Sequence, residues 1–362
     1  MKKILCYIDE LGSGGAERQI TNLAVLLKGK GYDVDVFCYH PIYFYENANA
    51  LIKYHIPLIK KKLKKNNYLN KIRNTIEVLK GKNYDVVIAY SDGPVIIASL
   101  LKLLFPKLRV IVSERNTTQT LTLKTRLKFV LFNFADYIVA NSYTQTNFIK
   151  THYKSLRNKT YTITNYIDTE KFFPSALKKS HDRLNIIVVA RHSKQKNVPT
   201  FIKAVEIAKN LGIKFHIDWY GDNGGGNKEK DELLVRQYNV EEFLSFFPSK
   251  SDIETSYRAA DAFCLPSLYE GFPNVVCEAM ASGLPVICSN VCDNPYLIED
   301  CIGGFLFDPK DPYDIACKIK ELSLLSTEER MKMGAVNRAK GEELFKASVF
   351  INKYTRLIEN DI

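Results

Sequence analysis

Glu270 and Glu278 stand eight residues apart in the stretch YEGFPNVVCEAMASG, residues 269–283. Pro273 between them suits the first turn of a helix, where its missing N–H costs nothing, and Gly283 suits the end of that helix. One carboxylate then precedes the helix, and the other lies one to two turns inside it. N–H groups at such a start attract an anion, and the helix dipole adds to the attraction. Each carboxylate accepts hydrogen bonds from neighbouring hydroxyls. Ribose and hexoses both offer vicinal diols. One carboxylate per sugar with a diphosphate between them describes a nucleotide-sugar. A lone glutamate near a helix start needs no ligand, because the dipole alone favours it. The second cluster shifts that balance. In VVARHSKQKN, Arg191 directly follows a strand-like run and Lys196 comes five residues later. A guanidinium fork and an ammonium point charge together suit phosphate oxygens.

A glycine-rich loop, ELGSGGAERQ, opens the chain's first strand-to-helix turn. Gly12 and Gly14 begin a GxGxxG pattern, but Glu17 occupies its third glycine position. That glycine normally permits close helix–strand packing in dinucleotide-binding folds, so a nicotinamide oxidoreductase is excluded. Gly14 and Gly15 are read instead as a loop whose backbone approaches a bulky ligand, and Gly221, at a later strand end, is taken as a further nucleotide-sugar contact. Asp33 and Asp35 form a DVD triplet at the start of a strand, away from the ligand end, and no metal site is expected. The eight cysteines contain no CxxC pair, and most sit in apolar runs such as ILCYI and PVICS. They read as buried thiols, and Cys288 with Cys292 lacks the second pair a zinc finger needs.

Along the chain, β-branched runs alternate with amphipathic stretches. KILCYI, DVDVFCY, YDVVIAY, RVIVS, YIVANS and YTITN form a first series, and LNIIVVA, KFHIDWYG, FLSFFPS, AFCLP and PVICS form a second. Such alternation means parallel sheets with helices on both faces. Two Rossmann-like halves of similar size predict a ligand in the cleft between them. The unusual polar residues fall at strand ends: Gly12 to Glu17, Ser91-Asp92, Ser113 to Asn116, Asn141-Ser142, Asn165, Arg191 to Asn197, Gly221-Asp222 and Glu270. Residues 172–183 show no periodicity and read as a linker. The last stretch, ASVFINKYTRLIENDI, reads as a helix with Ser348 as its N-cap.

The formal net charge is +11 over 362 residues. From Lys60 to Lys82 the chain carries eight lysines, one arginine and a single glutamate. A solvated helix face accounts for this cluster, and so does attraction to an anionic membrane surface. The mixed apolar and basic stretches VIIASLLKLLFPKLR and TLKTRLKFVLFNF favour the membrane. No nucleic-acid motif accompanies the charge. The start of the chain is too short in apolar residues for a signal peptide, and no run is long enough to span a bilayer. A cytoplasmic protein is expected, peripheral on the inner face of the membrane if the basic face touches lipid.

The stretch YEGFPNVVCEAMASGLPVICSN resembles the signature of retaining GT-B glycosyltransferases of family four, the glycosyl transferases group 1. VVARHSKQKN, TITNYIDTEKFFP and GGFLFDPKDP are similar to the other landmarks, in the right order, and GSGGAERQITNLA to the acceptor-domain loop. The resemblance covers essentially the whole chain. It implies an acceptor-binding Rossmann-like domain over 1–168, a linker over 169–183, a nucleotide-sugar-binding Rossmann-like domain over 184–344, and a helix over 345–362 returning to the first domain. It also implies roles. Glu270 contacts the donor hexose and supports the developing oxocarbenium charge, while Glu278 binds the ribose. Arg191 and Lys196 stabilise the leaving diphosphate, and the backbone of Phe272, Pro273, Asn274 and Val275 contacts sugar and phosphate. Many relatives carry a histidine where this chain reads VIVSERNT. Glu114 or Arg115 stands there, and Glu114 is taken as the candidate.

The activity implied is metal-independent transfer of a hexose or N-acetylhexosamine from a nucleotide-sugar, a UDP-sugar by preference. The acceptor implied is a lipid-linked glycan in surface polysaccharide biosynthesis, such as capsule or O-antigen, with no cofactor beyond the donor. Two other readings stay open. One is a GT-B-like nucleotide-sugar epimerase, which works without an acceptor. The other is a non-catalytic partner subunit, against which the presence of both Glu270 and Lys196 weighs.

Overall fold

A computed structural model of the chain describes residues 1–12, 14–40, 44–61, 63, 67–115, 117–118, 121–175, 182–298 and 301–361. Several expectations fall partly outside these residues: Ser13 of the first loop, Lys62, Lys64 and Lys65 of the basic segment, Asn116, and 176–181 of the linker. The chain divides into two compact units, Met1–Tyr166 with Ala347–Ile362, and Ile167–Lys346.

The first unit holds strands β1 (Lys3–Tyr7), β2 (Asp33–Cys38), β3 (Leu58–Lys60), β4 (Val86–Tyr90), β5 (Arg109–Glu114), β6 (Tyr137–Ala140) and β7 (Thr160–Thr162). They lie in the order β3-β2-β1-β4-β5-β6-β7, and neighbours run parallel. Side chains alternate between the faces of a strand. Ile4 and Cys6 of β1 therefore join one core with Phe350, Tyr354 and Leu357 of the helix Ala347–Glu359. Leu5 and Tyr7 join the opposite core with Val95, Ile97 and Phe129. Burial on both faces is why these strands read as unbroken apolar runs.

The C-terminal helix is tied to the same sheet by a 2.7 Å hydrogen bond between the hydroxyls of Tyr354 and Tyr90. Ser348 lies inside this helix, not at its cap. The helix before it, Thr327–Phe345, is the one with a capping box, made by Ser326 and Glu329.

The second unit holds β8 (Leu184–Val189), β9 (Phe215–Tyr220), β10 (Leu244–Phe247), β11 (Ala262–Leu265), β12 (Val286–Ser289) and β13 (Gly304–Phe307), in the order β10-β9-β8-β11-β12-β13. Both sheets reverse direction once, between β1 and β4 and between β8 and β11. Open parallel sheets bind ligands outside the strand carboxyl ends at such a reversal.

The stretch expected to be a linker begins as part of this unit. Phe172 is buried in its core, and Arg338 Nη1 donates to the carbonyls of Thr169 (3.1 Å) and Phe172 (2.8 Å). The helix after β11 runs over Asn274–Ala281, and Pro273 is its N-cap, one position before the first turn expected for it. Gly283, just past the C-cap Ser282, has φ +67°. Gly334 of the helix Thr327–Phe345 packs against the Gly283 carbonyl so closely that a Cβ there would lie 2.0 Å from the oxygen.

Candidate functional site

In the second unit, the loop after β8 carries Arg191 and Lys196, and the loop after β11 carries Glu270. These are the two strands at the reversal, and their loops meet. Lys196 Nζ donates to Glu270 Oε1 at 2.6 Å. Both side chains are largely buried, so each offsets the desolvation of the other. The loops are also joined by their backbones. Leu268 N–H donates to the Gln195 carbonyl at 2.8 Å, and Gln195 Nε2 donates to the Tyr269 carbonyl at 2.9 Å. Lys196 ends a single 3-10 turn, and Asn197 after it adopts φ +59°. Asparagine is one of the few residues that enter this left-handed region readily. Asn197 Nδ2 is fixed by the Pro309 carbonyl at 2.6 Å. Arg191 is exposed beside this assembly.

The helix Asn274–Ala281 begins a few residues beyond Glu270. Its intrahelical bonding starts where the N–H groups of Val276 and Cys277 reach the Pro273 carbonyl at 3.0 and 3.2 Å. The N–H groups of Asn274 and Val275 precede that ladder, as an anion site requires. Pro273 has no N–H and cannot donate, so the expected row of backbone donors shrinks to Phe272, Asn274 and Val275. The Phe272 side chain faces the core, edge-on to Phe345 at 6.1 Å. Glu278 is buried in the helix, and Tyr257 donates its hydroxyl to Oε2 at 3.3 Å. Behind Glu270, its own N–H donates to Cys292 Sγ at 3.4 Å. Burial raises the Cys292 thiol above its ordinary pKa, although that N–H pulls it the other way.

Other residues named from the sequence have structural explanations. A Cβ on Gly221 would stand 1.9 Å from the Ala190 carbonyl oxygen, so the tight passage from β9 past β8 alone demands glycine there. In the first unit, Gly14 is the N-cap of the helix Gly15–Gly29, and Glu17 folds back onto it. A Cβ on Gly14 would stand 2.2 Å from Glu17 Oε2. Gly14 thus makes room for the residue that breaks the dinucleotide fingerprint, and Gly15 is the exposed first residue of the helix. Asp33 and Asp35 both accept from Lys82 Nζ, at 2.9 and 3.0 Å, and Asp35 also accepts from the Tyr84 hydroxyl at 2.5 Å. The DVD triplet is an ion-pair anchor for the end of the helix Tyr68–Lys82.

At the end of β5, Glu114 is buried and bonded to Lys128 Nζ at 2.5 Å, and Lys128 also reaches Asp92 at 3.1 Å. Burial works against the Lys128 ammonium, but Glu114 and then Asp92 outweigh it and raise its pKa. Arg115 lies over the Tyr90 ring at 4.8 Å and donates to Asn165 Oδ1. Both residues at the histidine position are therefore engaged with side chains of their own unit.

His192 and Asn197 were named only as part of a polar strand end, and what they hold was not read from the sequence. Asn197 carried a readable signal, an asparagine just before a helix that begins with Val198-Pro199. His192 carried none: it is fully buried, with Nδ1 2.8 Å from Asp231 Oδ2, and only the fold brings the two together.

Comparison with known proteins adds a common theme. The family described as Glycosyl transferases group 1 matches residues 169–340, and the one described as Glycosyltransferase Family 4 matches residues 13–171. An uncharacterised glycosyltransferase of Haemophilus influenzae is 28% identical over 335 residues, 90% of each chain. An Escherichia coli enzyme named UDP-Gal:alpha-D-GlcNAc-diphosphoundecaprenol alpha-1,3-galactosyltransferase is 32% identical over 161 residues, 41% of each chain. The Anabaena protein HepE, solved in complex with UDP, superposes with a TM-score of 0.85 at 18% identity, over 99% of this chain and 100% of its own.

Proposed function

Because the chain belongs to the GT-B glycosyltransferases of family 4, matched by two adjoining family models over residues 13–340, we propose that it transfers a hexose or N-acetylhexosamine from a UDP-sugar to a lipid-linked glycan, with retention and without a metal. The observation that carries this reading is the Lys196–Glu270 pair, 2.6 Å long, at the strand reversal of the second unit. It stands beside exposed Arg191 and near a helix N-terminus. Lys196 and Arg191 neutralise the leaving diphosphate, the role a divalent cation plays elsewhere. Anionic Glu270 faces the hexose and supports positive charge as it develops at the anomeric carbon. Glu278 accepts from the ribose hydroxyls.

The bond from the anomeric carbon to the diphosphate oxygen breaks as the acceptor oxygen bonds to the same face. The acceptor proton passes to the departing diphosphate, so no carboxylate nucleophile is required. The E. coli relative's lipid-diphosphate acceptor supports an acceptor of that class and a place in surface polysaccharide assembly. The UDP bound to HepE supports uridine in the donor. Among the described residues no helix is long and apolar enough to cross a membrane.

The test is saturation-transfer NMR of the purified chain against UDP-, GDP- and ADP-sugars, followed by transfer to diphosphoundecaprenol-linked sugars with the product anomer assigned by NMR. UDP binding and a retained anomer are expected. An isomerised donor formed without acceptor would make the protein an epimerase. Failure to bind any nucleotide-sugar would leave a non-catalytic subunit.

A further inference from the structure

We propose that the buried pair His192–Asp231 is a positioning device for Arg191, aiming its guanidinium at the leaving diphosphate from the strand reversal of the second unit. This rests on the diphosphate role given to Arg191 above, but the device itself is read from burial and geometry.

Past Val189, β8 runs on beside the continuation of β9. Ala190 N–H donates to the Tyr220 carbonyl at 2.9 Å, and His192 N–H donates to the Asp222 carbonyl at 3.0 Å. Alternate residues bond to the same neighbour, as in a parallel ladder, and side chains alternate with them. Ala190 and His192 are buried, and Arg191 between them is exposed. The side that His192 takes therefore fixes the side that Arg191 takes.

His192 is tied by one segment, the loop after β9 and the start of the helix Lys228–Gln237. Besides its N–H, its carbonyl accepts from Asn227 Nδ2 at 3.3 Å. Its ring Nδ1 stands 2.8 Å from Oδ2 of Asp231, which lies in the first turn of that helix and is buried. The carboxylate accepts, so the ring carries a proton on Nδ1. Gly224 packs on the His192 carbonyl so closely that a Cβ there would lie 2.5 Å from the oxygen. The ring is fully buried, edge-on to Phe246 at 4.6 Å and 5.9 Å from Trp219 between centroids. Trp219 in turn donates Nε1 to the Ala190 carbonyl at 2.7 Å. Both neighbours of Arg191 are pinned, and its own side chain is left outside.

Stability alone does not call for this arrangement. A well-packed apolar pair is often as stable as a buried ionic one, or more so. His192 Nε2 is also buried without a hydrogen-bond partner among the described residues, a cost that an apolar ring would avoid. What the pair supplies is direction, because a hydrogen bond at one ring atom stops a turn that packing would allow. Lys196 is aimed by Glu270. Arg191 is aimed by what holds its backbone.

The experiment compares Asp231→Ala, Asp231→Asn and the apolar double change His192→Phe with Asp231→Leu, each in the full chain with Arg191 or with Arg191→Ala. Transfer from a UDP-sugar, urea unfolding, and the NMR signal of the Arg191 Nε–H on addition of UDP are measured. Asp231→Ala should lower kcat by about tenfold to a hundredfold, as small misplacements of a reacting group do. KM for the donor should change little, because the charge that Arg191 meets develops as the diphosphate leaves. Asp231→Asn keeps an oxygen that accepts from Nδ1–H and should retain most of the rate. The apolar double variant should be as stable as wild type and transfer as slowly as Asp231→Ala. Should Asp231→Ala fail to fold, this double variant carries the test. With Arg191→Ala in place none of these changes should slow transfer further, since a positioning residue acts only through the group it positions. UDP should shift the Arg191 signal in wild type and in Asp231→Asn, and shift it less in the other two.

Wild-type transfer by the apolar double variant would overturn the proposal, as would equal losses from Asp231→Ala with and without Arg191. An Arg191 signal unmoved by UDP in wild type would also overturn it. Undiminished transfer by Arg191→Ala would end the positioning role and leave glycosyl transfer standing. A UDP shift present in wild type and lost in Asp231→Ala, with no transfer to any acceptor, would support the positioning role and sink the transfer reading.

Discussion

Lys196–Glu270 in the second unit and Lys128–Glu114 in the first are the same two side chains at nearly the same separation, 2.6 and 2.5 Å. Both stand at strand ends. The first pair is carried by two loops, after β8 and β11, with exposed Arg191 beside it. The second joins the end of β5 to a helix, and Asp92 supplies a second carboxylate for a single ammonium. A loop-borne pair at a strand reversal can exchange its internal partner for a diphosphate and a sugar. A helix-borne pair between two carboxylates holds its unit together. The chemistry of a charge pair therefore does not mark a site. Its place relative to the strand reversal, and what else can reach it, does.

Breaking each pair sharpens that contrast. The largest effect is expected from Lys128→Ala, which leaves Glu114 buried and uncompensated. Losing one partner of a buried pair costs about 3–5 kcal/mol of folding free energy, read from urea denaturation. A stability close to wild type would erase the difference between the pairs. The same pair should show in alkali. The folded pKa of Lys128 is raised above its ordinary value of 10.5, so its contribution is complete below that value and is lost as pH rises through the folded value. Urea midpoints on either side of the ordinary value should fall more steeply in wild type than in Lys128→Met.

Lys196→Ala should differ in where its main effect falls. It too leaves a largely buried carboxylate, Glu270, without its partner and should lower the melting temperature, but its distinguishing effect is on transfer, which should slow by roughly 2–4 kcal/mol of barrier, the range for one preorganised charge stabiliser. Wild-type turnover in that variant would remove Lys196 from the diphosphate.

A smaller, divided effect is expected from the glutamates. Glu270→Gln should mainly lower kcat, because its charge matters as the anomeric carbon turns positive. Glu278→Gln should mainly weaken UDP binding, by about 1.5–3 kcal/mol for a hydrogen bond to a charged group. Equal losses of UDP affinity in both would show that the roles are not split. The smallest effect is expected from EDTA. Activity abolished by chelation and restored by manganese would transfer the charge-neutralising role from Arg191 and Lys196 to a metal.

Eleven of the thirteen strands among the described residues were legible because their signals are local. β-Branched runs marked them to within a residue or two at most ends, whereas the short β3 and β13 went unread, and Gly31, with φ +89°, stands just past the first helix. Glu270, Arg191 and Lys196 were legible as candidates because each sits where a strand-like run gives way to polar residues, and Glu278 because of its spacing from Glu270 along one helix. Gly14 and Gly221 were read as ligand loops because a glycine looks the same whether a ligand or the protein's own atoms occupy the space it leaves. Here a folded-back Glu17 and the Ala190 carbonyl occupy it.

By itself, then, the sequence determined the order of elements, the two-sheet parallel class and the residue types available at each strand end, since period, propensity and turn residues act over a few neighbours. Only the tertiary structure decided which charges meet. Lys196 finds Glu270 across 74 positions, and Lys82 finds the DVD aspartates. Such pairings depend on crossovers that bring distant strand ends together, and a carboxylate's partner, burial and protonation follow from that closure rather than from its neighbours in the chain.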